Sequence, residues 1–157
     1  EQNTPILKFV QKGAGVSSIT GEKLTEEQVT TALSFATRQL QLNNVGHFVL
    51  SVQLGNPPFY TGFVEPYGEL SESVLSAMAA TMDQSLQLQN IEYRDKRRSM
   101  RLGGIVLNSV IPGTFRRLRQ QKVSDGAPEA QVKFPFLTNN TNFKEAIATL
   151  QAIEQAV

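Results

Sequence analysis

Residues 47–54, His47-Phe48-Val49-Leu50-Ser51-Val52-Gln53-Leu54, form the strongest strand signal in the chain. Aromatic and branched aliphatic side chains follow one another, with turn-forming residues on both sides. Asn43-Asn44-Val45-Gly46 precedes the run, and Gly55-Asn56-Pro57-Pro58 ends it. Phe59 to Val64 continues as a short strand or loop. His47, at the mouth of the strand, reads as a structural or solvent-facing imidazole.

Upstream lies a helix. Thr25-x-x-Gln28 is a capping box, and Glu26 and Glu27 suit the positive end of the helix dipole. Val29, Ala32, Leu33, Ala36 and Leu40 then recur at helical spacing, so residues 26–41 are expected to be helical. Residues 6–12 read as a strand, Gly13-Ala14-Gly15 as a turn and Val16 to Thr20 as a second strand. Gly13-x-Gly15 lacks the third glycine of a dinucleotide fingerprint.

Downstream, Leu75, Met78, Ala79, Met82 and Leu86 mark a helix over residues 71–88, capped by Ser71. Its methionines read as core filling. Gly104 to Val110 reads as a central strand broken by Pro112-Gly113, with Thr114 placed to cap a helix over 115–122. Ser124 to Pro128 is a loop. Gln131 to Phe136 is extended, because Pro135 biases its predecessor away from helix. Asn142-x-x-Glu145 caps a last helix carrying Phe143, Ile147, Leu150 and Ile153 on one face. The expected fold is α+β, a mixed β-sheet of about four to five strands flanked by helices.

The 157 residues suffice for one domain with a substantial core. With no cysteine, disulfides, thiolate catalysis and cysteine-based zinc sites are excluded, and His47 as the single histidine excludes a multi-histidine metal site. No stretch approaches the roughly 18 apolar residues that span a bilayer. No basic-then-apolar export signal opens the chain, and a cytoplasmic setting is expected. Because the chain begins at Glu1, it is expected to be a piece of a longer polypeptide.

Charge is unevenly spread. Residues 94–122 hold nine of the 15 Lys/Arg and only one of the 14 acids, Asp95. The formal net charge of +1 therefore hides a window of +8 against −7 elsewhere. Such a lobe is compatible with a solvated surface, with nucleic acid or with a nucleotide phosphate. Only Tyr93 and Phe115 flank it, so no aromatic-interleaved stacking motif is present. There is no Walker loop either, so a phosphate cradle would have to come from elsewhere. Lys133, in the short extended segment just beyond, is the first candidate for an anionic partner.

The spacing across residues 93–135 separates these readings. Tyr93-Arg94 is followed by Arg97, Gly104, Gly113-Thr114-Phe115, Leu118, Gly126-Ala127 and Gln131-x-Lys133-x-Pro135. This pattern resembles the C-terminal domain of the Gretchen Hagen acyl acid amido synthetases, the auxin-responsive family of adenylate-forming enzymes. Phe9-Val10-Gln11-Lys12 followed by Val16-Ser17-Ser18-Ile19 resembles the segment just after that family's interdomain hinge, and the likeness extends over residues 6 to 138.

The resemblance implies a single C-terminal lid domain over 1–157, with 1–8 a remnant of the hinge. Its relatives activate a carboxylic acid with ATP and Mg2+ to an acyl-adenylate, which an amine, usually of an amino acid, then attacks. A separate N-terminal adenylation domain would hold nucleotide and acid, and the lid alone would be inactive. Lys133 takes the position of the lysine that the lid brings to the phosphates. Arg94 and Arg97 match the family's arginines and are expected on the pyrophosphate side or in support of the lid surface. No metal ligand is expected in this domain. The pattern also departs from the family: Val132 stands where it has Tyr, and Phe136 where it has Arg. A divergent, non-plant member would explain both. The competing expectation is a non-catalytic α+β binding module using the basic face for a protein partner or nucleic acid.

Overall fold

The computed structural model describes residues 15–129 and 132–155. The strand expected over 6–12, the hinge remnant at 1–8 and Gln131 lie outside the described residues. In chain order the elements are β1 (Val16–Ser17), β2 (Leu24–Thr25), α1 (Glu26–Gln39), β3 (Val45–Gln53), β4 (Phe59–Pro66), α2 (Glu72–Gln89), α3 (Ile91–Arg98), β5 (Val106–Ser109), α4 (Thr114–Ser124), β6 (Leu137–Thr138) and α5 (Phe143–Gln155).

β3 and β4 pair antiparallel over their whole length, from Val45↔Pro66 to Gln53↔Phe59. β6 joins β3 in parallel and β5 joins β4 in parallel, giving a mixed four-stranded sheet in the order β5-β4-β3-β6. β1 and β2 form a separate antiparallel pair.

The apolar run in β3 is continuous because both sheet faces are covered. Phe48, Leu50 and Val52 point into one core with Tyr60, Val64 and the buried faces of α1 and α2. Val49 and Phe63 point the other way, into a second core with Phe115 and Leu118 of α4 and Phe143 and Ile147 of α5. Met78 and Met82 are fully buried in the first core, as expected of core filling. β4 approaches its neighbours closely at Gly62, where an added Cβ would collide with the Leu107 side chain of β5 and crowd Phe48 of β3.

Local signals placed several helices well. Thr25 and Gln28 form the reciprocal capping box of α1, and Ser71 caps α2 through the Val74 N–H at 3.3 Å. Three expectations change. β5 is an edge strand, not a central one, because β3 and β4 occupy the middle. The strand expected over 16–20 shrinks to Val16–Ser17, since Ile19 and Thr20 instead give their N–H groups to the Glu22 carboxylate at 2.9 and 2.8 Å. Thr114 does not cap α4. Its hydroxyl donates to the Ile111 carbonyl at 2.7 Å. Glu65 on β4 serves instead, accepting from the Gly113 and Phe115 N–H groups at 2.7 and 2.8 Å.

Candidate functional site

The chain from Val132 to Pro135 has no regular secondary structure, bends at Phe136 and enters β6 at Leu137. Val132 is buried, Lys133 exposed and Phe134 half-buried, the alternation of an extended backbone. Pro135 holds its own φ near −65° and keeps Phe134 out of the helical region. The Phe134 ring meets Phe115 edge-on with centroids 5.7 Å apart. Lys122 Nζ lies 4.9 Å above the same ring, a cation–π contact. Phe136 donates its N–H to Glu26 Oε1 at 2.7 Å, and its carbonyl accepts from the Leu50 N–H at 2.8 Å. Leu137 then enters the main core as part of β6.

Lys133 is thus carried to solvent by a segment anchored before and after it. Among the described residues its ammonium makes no hydrogen bond or ion pair. An unpaired lysine on a rigid support is a mobile point charge with a fixed origin. Chemically it can meet a phosphate oxygen delivered from outside the domain.

Arg97 is placed differently. Its Nε donates to Asp83 Oδ1 at 2.8 Å, Nη2 to Asp83 Oδ2 at 3.3 Å and Nη1 to the Leu102 carbonyl at 2.9 Å. Tyr93 Oη and Gln87 Nε2 donate to the same carboxylate at 2.6 and 2.7 Å. Partial burial pulls the guanidinium down, but the bonds to Asp83 and its charge outweigh that and hold it above its ordinary value. Burial, followed by the Asp83 charge, pushes the Tyr93 hydroxyl well up, so it remains a donor. The network ties α3 and the Leu102 loop to α2. It also borders a groove of about 670 Å3 between α2 and β5, lined by Ala79, Asp83, Gln87, Arg97, Gly104 and Leu107, with Lys133 not part of it.

Arg94 is half-buried. Its Nε has no hydrogen-bond partner among the described residues, and Asp95 lies 3.9 Å away. The structure therefore does not bring the three candidates together around one described cavity. It leaves Lys133 unpaired, engages Arg97 with Asp83 and leaves Arg94 weakly served.

The cationic window is also divided. α3 joins the core on the α1/α2 face through Tyr93, while α4 joins the other core through Phe115 and Leu118. Sequence reasoning missed Asp83, Glu26, Lys122 and Phe134. Asp83 had a signal, an acid set among the apolar positions Met78, Ala79, Met82 and Leu86. Glu26 read as a helix-dipole residue, and nothing local ties it to Phe136, 110 positions away.

Residues 27–142 match the GH3 family C-terminal domain. A jasmonoyl–L-amino acid synthetase of Oryza sativa subsp. japonica is 30% identical over 145 residues, covering 90% of this chain and 25% of that protein. A 4-substituted benzoates–glutamate ligase of Arabidopsis thaliana is 27% identical over 148 residues, covering 85% of this chain and 25% of that protein. The solved structure of a GH3.15 acyl acid amido synthetase in complex with 2,4-DB superimposes with a TM-score of 0.71 at 25% identity, over 88% of this chain and 25% of that one. The chain spans about a quarter of the length of the curated relatives it matches. The matched span takes in both faces of the sheet and the segment bearing Lys133, and on it the chain belongs to the GH3 family, matching that family's C-terminal domain.

Proposed function

We propose that this domain is the mobile lid of an ATP-dependent amido synthetase that joins a carboxylic acid to an amine, by way of an acyl-adenylate. The observation that carries this is Lys133, exposed and unpaired among the described residues, on a segment anchored on either side of it. A partner domain, the N-terminal adenylation domain, would hold ATP and the acid. On closure, Lys133 would place its positive charge beside the α-phosphate and the departing pyrophosphate, where negative charge develops. The amine, by the analogy of the relatives an amino acid's, would attack after the lid moves.

The domain's own residues fit a phosphate contact and not a whole nucleotide site. Among the described residues no group of three or more His, Cys, Asp or Glu side chains is placed to hold a metal. Mg2+ with ATP would be held by the adenylation domain. Arg94, partly exposed and only 3.9 Å from Asp95, is the candidate arginine left to add to the phosphate field. Arg97 spends three of its five N–H donors on Asp83 and the Leu102 carbonyl, so its contribution is to hold α3 in place. Alone, the domain is expected to fold and to be inactive.

The test is Lys133→Ala in the enzyme that carries both domains. Pyrophosphate release on adding acid and ATP should fall by about 100-fold or more, the range for losing one preorganised charge-stabilising group. Melting temperature and circular dichroism should not change, since the side chain is exposed and forms no hydrogen bond or ion pair among the described residues. Full activity in the variant would refute the role given to Lys133.

A further inference from the structure

We propose that Glu26 and Lys122 are positioning residues for Lys133, a proposal that rests on the role given to Lys133 above. The two come from helices on opposite faces of the sheet, and each is directed at one end of the same short segment. Lys122, on α4, caps the Phe134 ring at 4.9 Å, one residue after Lys133. Glu26, in the first turn of α1, takes the Phe136 N–H at 2.7 Å. Among the described residues neither forms an ion pair, so their charges are directed at an aromatic face and a backbone amide.

Glu26 is itself held: its own N–H donates to the Gly15 carbonyl at 2.8 Å, and Thr25 fixes the start of the helix. Phe134 in turn lies between Lys122 and the buried Phe115. The segment cannot slide along β3, because Leu50 holds the Phe136 carbonyl and Leu137 is buried in the core. It can rotate about its axis if Phe134 leaves the ring stack or Phe136 loses its acceptor. Rotation would swing the Lys133 Cα–Cβ direction without unfolding anything. A lysine must arrive within about 1 Å of its productive place to be effective, so loss of either restraint acts on rate through Lys133.

This separates positioning from simple stabilisation. In the enzyme carrying both domains, Glu26→Ala is expected to lower kcat for adenylate formation about tenfold, the scale of one charge-assisted hydrogen bond. Lys122→Met, which keeps the apolar stem, is expected to lower it about threefold, in line with an exposed cation–π contact. KM for ATP should stay within about twofold in both, since neither residue is proposed to touch substrate. Glu26→Gln and Lys122→Arg should recover most of the rate, because each restores its contact. On a Lys133→Ala background, either change should add nothing to the residual rate.

Unchanged kcat in Glu26→Ala and Lys122→Met, beside a strongly impaired Lys133→Ala, would overturn the positioning proposal and leave the role of Lys133 standing. Losses that multiply undiminished onto Lys133→Ala would also overturn it, by showing that the two residues act elsewhere. A fully active Lys133→Ala would remove both proposals at once.

Discussion

Glu22 is a carboxylate with no exposed surface. It accepts from the Ile19 and Thr20 N–H groups, the Thr20 hydroxyl and the Tyr60 hydroxyl. Burial alone would raise its pKa, but the Tyr60 hydroxyl and the backbone donors outweigh that and hold it below the ordinary value. A group depressed in the folded state contributes stability above its unfolded pKa of about 4.3 and loses it as pH falls through the folded value. Urea melts of the domain between pH 7 and 2 should therefore show stability dropping below about pH 4. Glu22→Gln should flatten part of that slope and, at pH 7, cost about 1–3 kcal/mol for the unmade charge-assisted bonds. Equal acid slopes in the two proteins would show that Glu22 is not the linked group. Nothing in Gly21-Glu22-Lys23 announced this, because the partner hydroxyl lies 38 residues on, in β4. Lys133 was legible for the opposite reason. It was singled out by its place in the spacing Gln131-x-Lys133-x-Pro135, which is local in sequence, and its exposure is what the structure adds.

Caps divide in the same way. Those of α1 and α2 were readable because cap and capped N–H lie three residues apart. The start of α4 was not. Gly113 takes the left-handed conformation at φ 86°, which brings its N–H and that of Phe115 onto the Glu65 carboxylate. A negative charge there both caps the helix and opposes its dipole. Glu65→Ala should cost about 1–2 kcal/mol, the range for a lost N-cap. Because α4 carries Phe115 and Lys122, amide exchange should also quicken in the first turn of α4 and at Phe134. Exchange unchanged at both places would mean that α4 does not depend on this cap. α3 escaped the sequence reading although Asn90 offered a cap signal, its side chain accepting from the Tyr93 N–H at 3.0 Å. The preceding 18-residue helix ends at Gln89 and leaves Asn90 as the only separator, so the two helices run together in the pattern. β2 and β6, two residues each, are too short for any period to reveal.

The α+β class followed from strand and helix signals in turn, but the order β5-β4-β3-β6 did not, because it depends on pairings between distant segments. That order places helices on both faces of the sheet, and with them the cationic window. Arg94, Lys96, Arg98 and Arg101 lie on or just after α3, packed with α1 and α2 on one face. Arg116, Arg117, Arg119 and Lys122 lie on α4, packed with α5 on the other. Arg97 is engaged with Asp83. A run of charge that is continuous in sequence is therefore two smaller fields facing apart, and this bears directly on nucleic acid as a partner. If one polyanion could touch all eight remaining cations, the logarithm of its affinity would fall with the logarithm of salt at a slope of about −7. With one face at a time available, about four contacts remain and the slope is no steeper than about −3.6. Weak, shallow binding of that kind is expected for duplex and single-stranded DNA alike, measured by fluorescence anisotropy of the isolated domain from 20 to 200 mM salt. Single-stranded DNA should gain no further advantage, since the window presents no row of aromatic rings for bases to stack on. A slope near −7 would mean that the two arginine sets converge on one ligand, and the division of the charge by the sheet would then be the wrong account of this surface.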